Sequence, residues 1–263
     1  FQGAARMTTV NFANCDTSFV SSFRSMFEGC TVLNTIKGLN ALDTSKVVDM
    51  QSMFKDCKAL VTVDFEGLDT SSLAFVQNMF QNCSRLTKVN IGSIDTSQVR
   101  TMSYMFSGCS ALGNLSLAGF NTSTVTNMSY MFNGCSKLYR LQVTGFDTSK
   151  VTTMAYMFNG CQNITVLDLS SFRTPRVQFF NYMFNGCKKM VNFDASKFTG
   201  ESAVNLTAMF QNCNNVSSLN LKSFNTSHVT TMNNMFNGCT VMTSADLTGF
   251  DCANVTTMQN MFA

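Results

Sequence analysis

A cysteine returns along this chain at a fixed interval. Cys30, Cys57, Cys83, Cys109, Cys135, Cys161, Cys187, Cys213 and Cys239 lie 26 residues apart at every step except the first, which is 27. Met-Phe pairs keep the same beat from Met26-Phe27 to Met261-Phe262. Numbered from the Phe, ten units start at Phe1, Phe27, Phe54, Phe80, Phe106, Phe132, Phe158, Phe184, Phe210 and Phe236, and Phe262 begins an eleventh. One extra residue falls in the second unit, near Lys37-Gly38. A period of this length means that each unit is a small structural element with no core of its own. Stability requires stacking, so residues 1–263 read as one continuous repeat domain.

The composition follows from the period. All 19 Met occupy three unit positions, ten at position 26, six at 23 and three at 7. Eleven of the 25 Phe occupy position 1 and six occupy position 15. Residues that recur at one position stack as columns, so this apolar surplus reads as core rather than as a cofactor box. A formal net charge of +3 argues against a strongly basic nucleic-acid binder. The longest unbroken apolar run, Met154–Phe158, is far short of the ~20 residues a membrane-spanning helix needs. No leader-like segment opens the chain, which reads as a mature fragment or an excised piece. One His, at the variable position of His228, leaves little room for His-based chemistry. No nucleophile elbow, phosphate loop or paired-carboxylate signature occurs, so no enzymatic activity, cofactor or metal is expected.

Within a unit, Leu112, Leu115 and Leu117 alternate as in a strand of three to four residues, with positions 10 and 12 inward and 11 outward. Val125, Met128, Met131 and Phe132 recur at steps of three and four and predict one face of a short helix. The preceding Asp-Thr-Ser supplies capping and turn oxygens. Position 3 is Gly in seven units, with Asp56, Asn82 and Asn212 in the others, all residues that tolerate a left-handed helix end. The expected fold is an α/β solenoid, leucine-rich-repeat-like, with a short parallel strand and a short helix in each of ten units.

The segment Met-Phe-x-Gly-Cys-x-x-Leu-x-x-Leu-x-Leu-x-x-Phe-Asp-Thr-Ser-x-Val-Thr-x-Met resembles the 26-residue BspA-like bacterial surface-protein repeat. This is the mycoplasma-lipoprotein-type branch of the leucine-rich repeats. Units 106–131, 132–157 and 210–235 fit nearly position for position. The resemblance implies a secreted or surface-anchored protein engaged in adhesion and in protein or glycan binding, without enzymatic activity. It brings no shared ligand residues. Two adjacent units depart from the pattern, with Arg173-Thr174-Pro175, Phe179-Phe180, Thr199-Gly200-Glu201, Ala195 and Ala203. These mark either a local change of turn or a lateral contact, or else ordinary repeat drift.

Four columns carry chemistry. The nine cysteines have no zinc-type spacing and read as a reduced, buried ladder, because a free thiol behaves as a small apolar group. Cys15 and Cys252 lie outside it. The position-16 acids Asp16, Asp43, Asp69, Asp95, Asp147 and Asp251, with Asn121 and Asn225, come singly and read as turn formers rather than calcium ligands. Tyr104, Tyr130, Tyr156 and Tyr182 occupy position 25 in four successive units. They form either a contact stripe for a partner or a set of rings packed on one another. The outward strand column includes Asn11, Asp64, Asn90, Ser116, Gln142, Asp168, Asp194, Asn220 and Asp246, either ligand contacts or a solvated face. Two functional readings remain. One is an extracellular or cell-surface module binding a protein or glycan. The other is a structural protomer assembling head to tail with copies of itself into a filament.

Overall fold

A computed structural model of the chain describes residues 1–191, 193 and 197–263. Each repeat forms one coil of a β-solenoid. Among the described residues, eight three-residue strands share one side: β1 (Thr9–Asn11), β2 (Thr35–Lys37), β3 (Thr62–Asp64), β4 (Lys88–Asn90), β5 (Asn114–Ser116), β6 (Arg140–Gln142), β7 (Ser218–Asn220) and β8 (Ser244–Asp246). They pair in parallel as β1-β2, β3-β4, β5-β6 and β7-β8. Register keeps unit position constant, with Leu115 opposite Leu141 and Val63 opposite Val89. Any slip would turn the inward position 10 to solvent.

The extra residue of the second coil appears as a short 3-10 turn, Leu39–Ala41, entered through the left-handed Gly38 at φ 70°. This turn sits beside a gap of about 170 Å³ where β2 gives way to β3, bordered by Ile36, Leu39 and Val63.

The expected helix is not there; among the described residues the Leu39–Ala41 turn is the one helical element. Positions 20–26 instead form turns and a second column of parallel bridges, Thr101 to Asn127 to Thr153 and onward to Thr257. Two features of the backbone explain the correction. Position 25 is left-handed in every coil, from Ser25 at φ 53° through Tyr130 at 59° to Asn260 at 55°. Position 3 is left-handed as well, as in Gly108 at 76° and Asn82 at 61°. Two such residues within five positions interrupt any right-handed helix. The N–H groups of this segment also bond across coils. Tyr130 donates to the Ala155 carbonyl (2.9 Å), Phe132 to Met157 (2.9 Å) and Gly134 to Asn159 (2.7 Å). A segment this short could not hold a helix by itself. The three- and four-residue apolar spacing is satisfied by turns that point Val125, Met128, Met131 and Phe132 inward, where all four are fully buried.

The core is a bundle of columns. Position-1 rings form a continuous stack from Phe1 to Phe262 with centroids 5.3–6.0 Å apart. Leu, Met and Val columns enclose it. In the divergent coils, Gly200 is left-handed at φ 64°, and a Cβ there would lie 2.5 Å from the Phe224 ring. The Ala195 position lies outside the described residues.

Candidate binding columns on the solenoid

The cysteine column is internal. Cys30 to Cys213 are buried and Cys239 is half-buried, all as free thiols. Each sulfur donates to the carbonyl oxygen of the position-1 Phe one coil earlier, as in Cys57 Sγ to Phe27 (3.0 Å) and Cys161 Sγ to Phe132 (3.2 Å). Burial pushes the Cys57, Cys135 and Cys187 thiols up to about 12. Loss of those protons at neutral pH is therefore suppressed, and the column is unsuited to nucleophilic or metal chemistry. Cys15 and Cys252 are exposed.

A second internal ladder escapes a linear reading. Thr recurs at position 17 in eight of ten units, and Thr44, Thr96, Thr122, Thr148 and Thr226 are essentially inaccessible. Their hydroxyls donate to the position-16 carbonyl of the next coil at 2.6–2.9 Å. Thr148 and Thr226 also accept the N–H of that same residue. The signal was the recurrence of a hydroxyl inside an otherwise apolar pattern.

The acids of position 16 close turns. Asp43, Asp69, Asp95 and Asp147 each accept the N–H of the Ser two residues on, at 2.8–3.1 Å. Hydrogen bonds from Ser45, Ser71 and Ser149 hold the Asp43, Asp69 and Asp147 carboxyls below the usual range. Among the described residues no cluster of three or more His, Cys, Asp or Glu is arranged to hold a metal ion.

The outward strand residues Asp64, Asn90, Gln142, Asp168, Asn220 and Asp246 are exposed. Several are partly engaged. The carboxylate or amide oxygens of Asp64, Asp168, Asn220 and Asp246 accept the N–H two residues on. Asn90 Nδ2 donates to Glu66 Oε2 (3.1 Å). Asp194 lies outside the described residues.

Tyr104, Tyr130, Tyr156 and Tyr182 are half-buried and stack in one file, with centroids 4.4, 4.5 and 4.6 Å apart and planes within 10°. Internal ring faces are occupied by neighbouring tyrosines, so the middle of the file offers a partner edges rather than faces. Desolvation and the adjacent phenols push Tyr130 up to about 12.

Folding the charges onto unit positions reveals a pattern hidden by the net charge. Positions 4–10 hold no Asp or Glu in any unit, yet carry Arg6, Lys58, Arg85, Lys88, Lys137, Arg140, Lys188 and Lys189. All eight are exposed. Twelve of the 15 carboxylates lie at positions 11–18, from the last strand residue onward. The solenoid therefore has a basic edge that runs into the first residue of the strand column and an acidic one that starts at its last residue. Ion pairs among the described residues are Arg24–Asp49 and Lys55–Glu28, neither from the basic edge.

Comparison with known proteins places this architecture. The family described as "Mycoplasma protein of unknown function, DUF285" matches residues 1–116, 111–219 and 191–263. A leucine-rich repeat protein from Eubacterium ventriosum is similar in structure, with TM-score 0.53 and 19% identity over 77% of this chain and 49% of that one. This chain thus spans about half the length of that relative, and the likeness shows the fold alone. A leucine-rich repeat protein from Bacteroides ovatus aligns over 97% of this chain and 79% of its own, at 17% identity and TM-score 0.42. A leucine rich cell surface protein from Faecalibacterium prausnitzii aligns over 91% and 82%, at 11% identity and TM-score 0.27. No curated protein matches the chain. Among the described residues no helix is long and apolar enough to cross a membrane.

Proposed function

We propose, from the premise that this chain belongs to the DUF285 family, that it is a non-enzymatic binding scaffold of the cell surface or extracellular space, mediating adhesion through a protein or glycan ligand. One observation carries the reading. Every buried polar column, thiol and threonine alike, bonds to the adjoining coil, so a rigid internal lattice holds repeated exposed side chains in line. Such a lattice suits recognition of an extended partner, since one contact per coil adds along the axis. Surface placement is supported by the resemblance to BspA-like repeats.

The test is to apply the purified chain to glycan and protein arrays. Saturable binding to one ligand class, with mass constant as concentration rises, is expected. Growth of mass with concentration and no ligand on either array would replace this reading with self-assembly.

A further inference from the structure

We propose that the basic edge of the solenoid binds an acidic polysaccharide, an extended glycan carrying about one carboxylate or sulfate per disaccharide. This deepens the scaffold reading and rests on it.

Three observations point to that partner. The first is charge. Eight exposed cations occupy positions 5, 6 and 9, and no carboxylate shares positions 4–10 with them. With no ion pair made among the described residues, these cations keep their full attraction for an anion.

The second is period. Cations come in twos in alternate coils: Arg85 and Lys88 in the fourth, Lys137 and Arg140 in the sixth, Lys188 and Lys189 in the eighth. Two steps of parallel strand spacing amount to roughly 10 Å. Two sugar rings joined end to end in an extended chain advance by a similar length, so an acidic group on every second ring meets a cation pair each time. Each strand of a B-form duplex carries a phosphate about every 3.4 Å of helix axis, a density that would leave most of its charge unmatched here.

The third is a platform between the charges. Tyr139 is 59% exposed. Its ring lies down on Gly113, where an added Cβ would come within 2.9 Å of Tyr139 Cε1. Any side chain at 113 would push the ring away. Lys137, Tyr139, Asn163, Thr165 and Lys189 border a groove of about 720 Å³ on this edge. An exposed aromatic ring flanked by cations, an amide and a hydroxyl matches a charged sugar. The ring takes the C–H face, the amide and hydroxyl take hydroxyl groups, and the lysines take the anion.

The experiment is titration calorimetry of the full chain with a hyaluronan decasaccharide, which has one carboxylate per disaccharide. A chondroitin sulfate decasaccharide, a dextran of equal length and oligo-dT are run beside it. The acidic glycans should bind with an affinity that falls as salt rises, and dextran should not bind. The sulfated and unsulfated arms tell which anion is preferred. The double variant Lys137→Gln/Arg140→Gln and the variant Tyr139→Ser should each weaken binding about tenfold or more. Asp168→Asn/Asp246→Asn, in the acidic column at position 11, should not, and unchanged circular dichroism and melting would show that all variants fold. Absence of acidic-glycan binding, equal affinity for dextran, tighter binding of oligo-dT, or indifference to the edge substitutions would overturn the proposal. If the arrays still found a protein or neutral-glycan ligand, the scaffold reading would stand without the basic edge. Silence on arrays and titration alike would end both.

Discussion

Tyr130 and Tyr156 stack at 4.5 Å with 6° between their planes, although both hold left-handed backbone at φ 59° and 60°. A bulky residue pays about 1–2 kcal/mol for that conformation. Tyr130 makes two aromatic contacts, with Tyr104 and Tyr156, each contributing about 0.5–1.5 kcal/mol beyond burial. The two effects nearly offset, which explains how Asn78 and Asn234 serve at the same position in other coils. Tyr130→Asn should therefore change stability by no more than about 2 kcal/mol, losing both stacks and relieving the backbone. Tyr130→Val, β-branched and without a ring, should destabilise by about 2 kcal/mol or more. Urea melts of the two variants check the order; equal destabilisation would show that the left-handed backbone is not what limits this position.

Alkylation will read the thiol ladder directly. In the native state iodoacetamide should label Cys15 and Cys252 quickly and Cys239 more slowly, and should leave Cys30 to Cys213 unmodified until denaturant is added. Mass spectrometry of peptides counts the labelled sites. Native labelling of Cys109 or Cys135 at the rate of Cys252 would contradict their burial.

The same ladder sets a pH dependence. Burial raises the folded-state Cys57, Cys135 and Cys187 thiols from the ordinary 9.0 to about 12. Above pH 9 the unfolded chain loses these protons while the folded chain keeps them, so the unfolded state is favoured. The stabilisation is complete below pH 9 and declines toward pH 12, by about 1.4 kcal/mol per pH unit for each such thiol. The urea midpoint should fall steeply as pH rises from the ordinary thiol value of 9.0 toward about 12. Substituting Cys135→Ala should make that fall shallower.

Thr148 is the polar counterpart. It donates to the Arg173 carbonyl at 2.6 Å and accepts the Arg173 N–H at 2.8 Å in a fully buried position. Thr148→Val keeps the shape and strands both backbone groups, at a cost of about 1–3 kcal/mol for each group left unpaired. Thr148→Ser should retain most of the stability. A melt showing Val and Ser variants alike would mean that the hydroxyl contributes little.

Much of this molecule was legible in the order of its residues. Columns at Phe27, Leu112 and Met131 follow from the period alone, because residues recurring at one position must stack. Parallel register follows for the same reason, as Leu115 meets Leu141. The strand was legible from alternation. The basic edge around Lys137 was legible too, but only after charges were sorted by unit position, since the overall charge of +3 averages two opposed edges.

The segment from Val125 to Phe132 was not legible, and its spacing pointed to a helix that does not form. Spacing reports which side chains face inward; it does not report where backbone N–H groups find acceptors. That choice was made between coils. Tyr130 donates to Ala155 rather than back along its own segment, and the left-handed turns at positions 25 and 3 exist because neighbouring coils supply those bonds. The sequence by itself determined the period, the core columns and the register, all consequences of repetition. Only the tertiary structure decided between helix and β-coil, drew the tyrosines into a closed stack and bonded Thr148 to Arg173, because those contacts join residues about one full repeat apart.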